Sequence, residues 1–150
     1  LLLFVPALVT GVAVARRPAL AERILGPGMI ARAEAGKQRA NTGTEYLGDP
    51  GIAGPVMTTS IMTNNVQVTY VAFAGGILFG VGTVLALVVN GIAALGAGLG
   101  YWISQGIGPQ ILGFVAAHGV LELAAICIGG GGGLLLATAL LLPGDRTRRE

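Results

Sequence analysis

The sequence predicts an all-α fold, a multi-pass transmembrane helix bundle in which some helices are short or broken. Three observations predict it. Of 150 residues, 53% are hydrophobic and 11% charged, too few charged groups to cover a water-soluble globule of this size. The charges are also segregated: ten fall in residues 16–49, five in 145–150, and a single one, Glu122, lies between. Residues 50–121 thus form 72 consecutive positions without a formal charge. Finally, 26 residues are glycine, far above the usual share of about 7%, and in lipid the natural use of glycine is close helix packing. This pattern excludes a soluble enzyme domain, a nucleic-acid binder with a basic face and an acidic disordered tail. The expected surroundings are a lipid bilayer.

Residues 1–15 are uncharged and end against Arg16 and Arg17, as a transmembrane helix does on reaching an interface. They would cover about 22 Å of a core roughly 30 Å thick, and the chain opens at Leu1 inside the apolar run, so this helix is expected to be truncated. A signal peptide competes, because Ala13-Val14-Ala15 has the small-x-small form of a cleavage site. Residues 16–55 form a polar connection punctuated by four prolines. Within it Leu20, Ile24 and Leu25 recur at helical spacing beside charged residues, which fits a short helix lying along the membrane surface. Residues 40–55 are rich in turn formers and are expected to be irregular.

Residues 66–89 are 24 positions without charge, about 36 Å as helix, and read as the clearest full span. Asn90-Gly91 reads as a stop, leaving 92–105 as a piece too short to cross unaided and therefore re-entrant or broken. Pro109 suits the first turn of the next helix, which should run over 110–128 until the five glycines at 129–133 end or kink it before 134–142. The whole of 56–144 is expected to form one membrane bundle, with 145–150 a basic tail. Arg146, Arg148 and Arg149 directly follow the last apolar segment, which favours a cytoplasmic C-terminus. Residues 16–55 carry six Lys and Arg, and both flanks obey the same rule only if an even number of crossings separates them.

Glu122 is the most informative position. It lies four residues after His118, so the two share a helix face. A charge at the bilayer centre costs about 2.5–3.5 kcal/mol on insertion scales, so such an acid is expected to be protonated, paired or turned to a wet cavity. The pair reads either as a proton-responsive polar site or as a hydrogen bond that fixes helix register. Asn64 and Asn65 read as caps at the start of the long span. Asn90, 25 steps after Asn65, marks its far end; it caps the following helix or bonds across to the His118 and Glu122 face. Glycines four apart at Gly76 and Gly80, Gly96 and Gly100, and Gly129 and Gly133 would let backbones approach closely. The glycine run lacks the Gly-Lys-Ser/Thr ending of a phosphate loop. One histidine and one intramembrane acid do not supply the ligands of a catalytic zinc, and no Gly-x-Ser-x-Gly elbow is present. No enzyme activity, cofactor, metal or nucleic-acid partner is expected. Tyr101 and Trp102 read as interfacial anchors, and Cys127 as core filling.

From Met62 onward the order of features carries a resemblance: Met62-Thr63-Asn64-Asn65, Gly80-Val81-Gly82-Thr83, Asn90-Gly91, His118-Gly119-Val120-Leu121-Glu122-Leu123, then Gly130 to Leu134. Residues 60–138 resemble the stage II sporulation protein M family, with Ala117 departing from the proline common there before the histidine. The resemblance implies a multi-pass protein of the inner cell membrane. In spore formers the family's named member acts with partners in a complex that remodels septal peptidoglycan, the cutting being done by a partner. The expectation is therefore a scaffold or assembly component of a cell-envelope complex, with membrane or envelope protein partners. The alternative is a transporter or channel-like permease subunit, in which the broken helix at 91–108 and the His118 and Glu122 pair line a polar cavity.

Overall fold

The computed structural model describes residues 1–41 and 53–142, and every element among them is helical. Helix α1 spans Phe4–Arg16, α2 Ala19–Ile24 and α3 Pro27–Asn41. Helix α4 spans Ala53–Ala74 and tightens into a 3₁₀ turn at Gly75–Leu78. Helix α5 (Val81–Asn90) passes through a π-helical turn at Gly91–Ala97 into α6 (Gly98–Ser104), and α7 runs over Gly108–Leu141. Pro109 occupies the first turn of α7, where its missing N–H has no partner to lose.

The stretch at 66–89 does not form one span. Phe79 and Gly80 both adopt left-handed backbone (φ 53° and 83°) and reverse the chain, so this apolar run is the two arms of a helical hairpin. Gly80 takes that conformation without a Cβ clash, whereas Phe79 bears strain. The buried Thr83 donates through Oγ1 to the Ala72 carbonyl at 2.7 Å, tying the arms together eleven residues apart. Gly75 faces Gly82 so closely that a side chain on either would meet the other's backbone. Small residues and a polar bond thus make the turn, with no charge or proline to announce it.

The Asn90-Gly91 pair is likewise no stop. Residues Val81–Ser104 form one 24-residue apolar helix, and 92–105 is its second half rather than a re-entrant piece. The five glycines do not end α7, which continues through them to Leu141. Four of them are held by neighbours: a Cβ on Gly129 would stand 2.8 Å from the Thr69 carbonyl, one on Gly130 2.8 Å from Leu87, one on Gly132 3.0 Å from Phe73, and one on Gly133 would strike the Ala72 carbonyl.

These contacts fix the directions. Helix α7 runs parallel to α4, with Gly129 beside Thr69, Gly133 beside Gly76 and Ala137 beside Gly80. Helices α5 and α6 run antiparallel to both. Helix α1 lies along the π-turn and α6, where Gly91 meets Leu3, Gly96 meets Ala7 and Gly100 meets Gly11. Helix α2 realises the short helix expected near Leu20 and Ile24, but it packs on the end of the bundle: Ala21 and Leu25 are buried with Val14 and Ala97, flanked by Met29, Ile30 and Tyr101. Helix α3 was not expected; its Lys37 Nζ donates to Gln105 Oε1 at 3.2 Å. Of the expected irregular stretch 40–55, Ala40, Asn41 and 53–55 are helical, and 42–52 lie outside the described residues, as do 143–150, which include the tail 145–150.

The surface is inverted relative to a soluble protein. Leu8, Ile77, Leu85, Val120, Leu121, Ile128 and Leu135 are all exposed, while the interior holds alanine, glycine, Thr83 and few large side chains. Cys127 is exposed on this apolar surface and does not fill the core. Two helices, Val81–Ser104 and Gly119–Leu141, are long and apolar enough to cross a membrane.

Two substitutions two residues apart separate packing from helix propensity. Gly133→Ala pushes a methyl into the Ala72 backbone and Thr83 and should cost about 1–3 kcal/mol. Gly131 has nothing within 4 Å of its Cβ position, so Gly131→Ala should be neutral or stabilise by up to about 1 kcal/mol. Thermal melts of the detergent-solubilised protein, read by circular dichroism, check both.

Candidate functional site

The polar residues of the bundle meet where α4 and α7 run side by side. Asn65 Nδ2 donates to Glu122 Oε2 at 2.6 Å across 57 residues of sequence, both side chains being half-buried. Thr69, one turn further along α4, donates through Oγ1 to the Asn65 carbonyl at 2.8 Å and holds the backbone that carries the amide. The parallel register sets this pairing: Asn65 precedes Thr69 by one turn on α4, and Glu122 precedes Gly129 by two turns on α7.

Asn64 and Asn65 are not helix caps, because α4 begins twelve residues before Asn65, at Ala53. Asn64 is exposed, and Asn65 is an interhelical donor. Nor do Asn65 and Asn90 mark opposite ends of one helix. Thr83 sits against Ala72, Asn65 is seven residues before Ala72, and Asn90 is seven after Thr83, so the hairpin brings both asparagines to the same level. Asn90 is half-buried, does not cap the turn that follows and forms no side-chain hydrogen bond among the described residues. The bond to Glu122 expected of Asn90 is made by Asn65. His118 sits on α7 one turn before Glu122, and its side chain lies outside the described residues.

Glu122 lies near the middle of α7 (Gly108–Leu141): fifteen residues separate it from Ala137 beside the hairpin turn, about 22 Å along the axis, and fourteen separate it from the start of the helix at Gly108. The level it shares with Asn65 and Asn90 is therefore deep in the bundle, where an unpaired charge is costly. Among the described residues no group of three or more His, Cys, Asp or Glu side chains is placed to hold a metal ion. What the arrangement does chemically is accept hydrogen bonds: a carboxylate offers about four lone-pair sites, and Asn65 fills one.

The glycines singled out in the sequence are all at helix contacts. Gly76 and Gly133 abut each other, Gly129 meets Thr69, and Gly80 combines the left-handed turn with a close approach to Ala137. Sequence reasoning missed Thr83, fully buried at the junction of α4, α5 and α7; its place directly after Gly80-Val81-Gly82 was the available signal.

An all-helical bundle, apolar outside and glycine-lined inside, with two helices of membrane length, defines an integral membrane protein. Compared with known families, the chain matches stage II sporulation protein M over residues 1–150. It belongs to that family, and the match takes in residues 1–59 and 139–150 as well as the 60–138 that carried the resemblance. Searches of the curated proteins and of the solved structures found no match.

A double-mutant cycle measures the pair. Asn65→Ala combined with Glu122→Ala should show a coupling of about 0.6 and at most about 1.7 kcal/mol, the range of interhelical hydrogen bonds in membranes. Asn64→Ala, at an exposed position of α4, should couple to Glu122→Ala by less than about 0.3 kcal/mol, as sites that share no partner do.

Proposed function

We propose that this chain is a multi-pass scaffold or assembly subunit of a cell-envelope complex in the inner cell membrane, with no catalytic chemistry of its own. The observation that carries the reading is the backbone contact among α4, α5 and α7. Gly75 against Gly82 and Gly76 against Gly133 bring helices as near as they can come, which suits a rigid platform and leaves no polar path between those faces. The polar inventory supports the same reading, since the Asn65 and Glu122 pair is a fastening rather than a reacting set. The role is of the kind the family resemblance implies, a membrane component serving enzymes that remodel peptidoglycan.

The transporter alternative draws on the same half-buried Glu122 and on the π-turn beside Asn90, since π-turns recur at functional sites. The discontinuous helix at 91–108 that motivated it is continuous as far as Ser104. The scaffold reading predicts that the tagged protein, extracted from native membranes in mild detergent, elutes with a stoichiometric envelope partner. Elution alone, together with proton-coupled solute uptake in proteoliposomes, would establish the transporter instead.

We infer the topology from the alternating directions of the helices. Taking α4, the α5 to α6 helix and α7 each as one crossing, three crossings separate the polar connection from the tail. That number is odd, and the two basic regions lie on opposite sides. The tail's three arginines sit within eight residues of Leu141, and on the positive-inside rule they favour a cytoplasmic C-terminus, with α2 and α3 outside. In a Cys127→Ala background, a cysteine at Arg23 should react with an impermeant maleimide in intact cells, and one at Arg148 only after permeabilisation. The reverse labelling pattern would invert the orientation.

A further inference from the structure

Glu122 has more hydrogen-bonding capacity than the described residues fill, and the open side of its carboxylate is identifiable. Leu123, the next residue, packs against the core formed by Ala72, Leu87 and Ile126. Leu121 on the other side is 75% exposed, and Ala125 is exposed. On α4, Met62, Val66 and Phe73 are exposed around Asn65 and Thr69. Helical spacing puts these residues along one shallow apolar trough between α4 and α7, on the side away from α5, with the Glu122 carboxylate in its upper floor. Among the described residues that carboxylate has one partner, Asn65.

Helices α4 to α7 carry no lysine or arginine that would complete it. All nine Lys and Arg lie within residues 16–39 and 146–149, so the same helices of a second copy carry the same gap. Resting on the scaffold reading above, we infer that the trough between α4 and α7 receives a transmembrane helix of a different envelope protein, and that a lysine or arginine of that helix pairs with Glu122. Charge complementarity selects this occupant. A carboxylate facing hydrocarbon is stable only when paired or protonated, and an apolar trough admits a helix whose other side chains are apolar. Asn65 then has a definite part: its amide holds Oε2 against α4 and leaves the rest of the carboxylate to the incoming cation.

The experiment uses the full-length protein in its native membrane. A photo-crosslinking amino acid at Leu121 reports on the trough, and one at Leu85, exposed on α5, serves as control. The Leu121 adduct is expected to contain a hydrophobic segment of another membrane protein bearing Lys or Arg, which the Leu85 probe does not capture. Glu122→Gln keeps an oxygen that accepts from Asn65 while removing the charge, and should lower the adduct at least tenfold with an unchanged thermal melt. Glu122→Lys should lose the adduct too, and exchanging the partner's basic residue for Glu should restore it. His118→Gln should leave the yield unchanged. The inference is overturned if Glu122→Gln leaves the yield as it was, if His118→Gln lowers it as much as Glu122→Gln does, or if the adduct is a second copy of this chain or lipid alone. Co-purification separates the two levels. Partners retained equally by wild type and Glu122→Gln overturn this inference alone, whereas no envelope partner with the wild type removes the scaffold reading and this inference with it.

Discussion

The junction of Gly76, Gly133, Ala72 and Thr83 is the constraint on which the bundle depends. Between apolar helices in lipid there is no hydrophobic driving force, because the acyl chains solvate leucine as well as another helix does. What remains is dispersion and polar bonding, and dispersion falls off steeply when surfaces are held even a fraction of an ångström apart. Two helices gain most from it when their backbones touch. Here they do touch, because glycine stands on both sides of the contact and the one polar side chain inside it, Thr83, spends its hydroxyl on the Ala72 carbonyl. The large aliphatic residues, freed from building a core, are turned outward.

That junction also decides where polarity resides. Once Gly133 is locked against α4, the parallel register carries Glu122 to the level of Asn65, and the hairpin brings Asn90 to the same level. An acid that looks isolated in a neutral tract therefore arrives next to an amide contributed by a helix far away in sequence.

Class and composition were legible in the sequence because lipid solvation acts on averages: few charges, long neutral tracts and many glycines carry that information residue by residue. The site was legible in part. Glu122 as the lone acid of a neutral tract and the glycine pairs are local patterns, whereas the Asn65 to Glu122 bond joins residues 57 apart and depends on a register that no local pattern encodes. The boundaries failed for a related reason. In water a tight turn needs polar or proline residues, so a neutral run reads as one helix; within an apolar environment Phe79 and Gly80 turn the chain using backbone conformation alone. The Asn90-Gly91 pair misled in the opposite sense, since stop signals are statistical and helix packing overrode this one.

The π-turn at Gly91–Ala97 follows from how α1 must pack. Gly91, Gly96 and Gly100 are spaced five and then four residues apart, and all three lie against α1. In a regular α-helix a five-residue step rotates the side-chain direction by about 140° beyond a full turn. Gly91 and Gly96 would then point to different neighbours, and a larger residue would hold α1 away. Widening one turn to π geometry absorbs the extra residue and returns both glycines to one face. The hydrogen-bond geometry that the π-turn gives up is offset by close contact along α1, where Leu3, Ala7 and Gly11 each meet a glycine. Helix α1 thereby stays in register with α5 and α6 up to Val14, whose side chain is buried with Ala97 beneath α2.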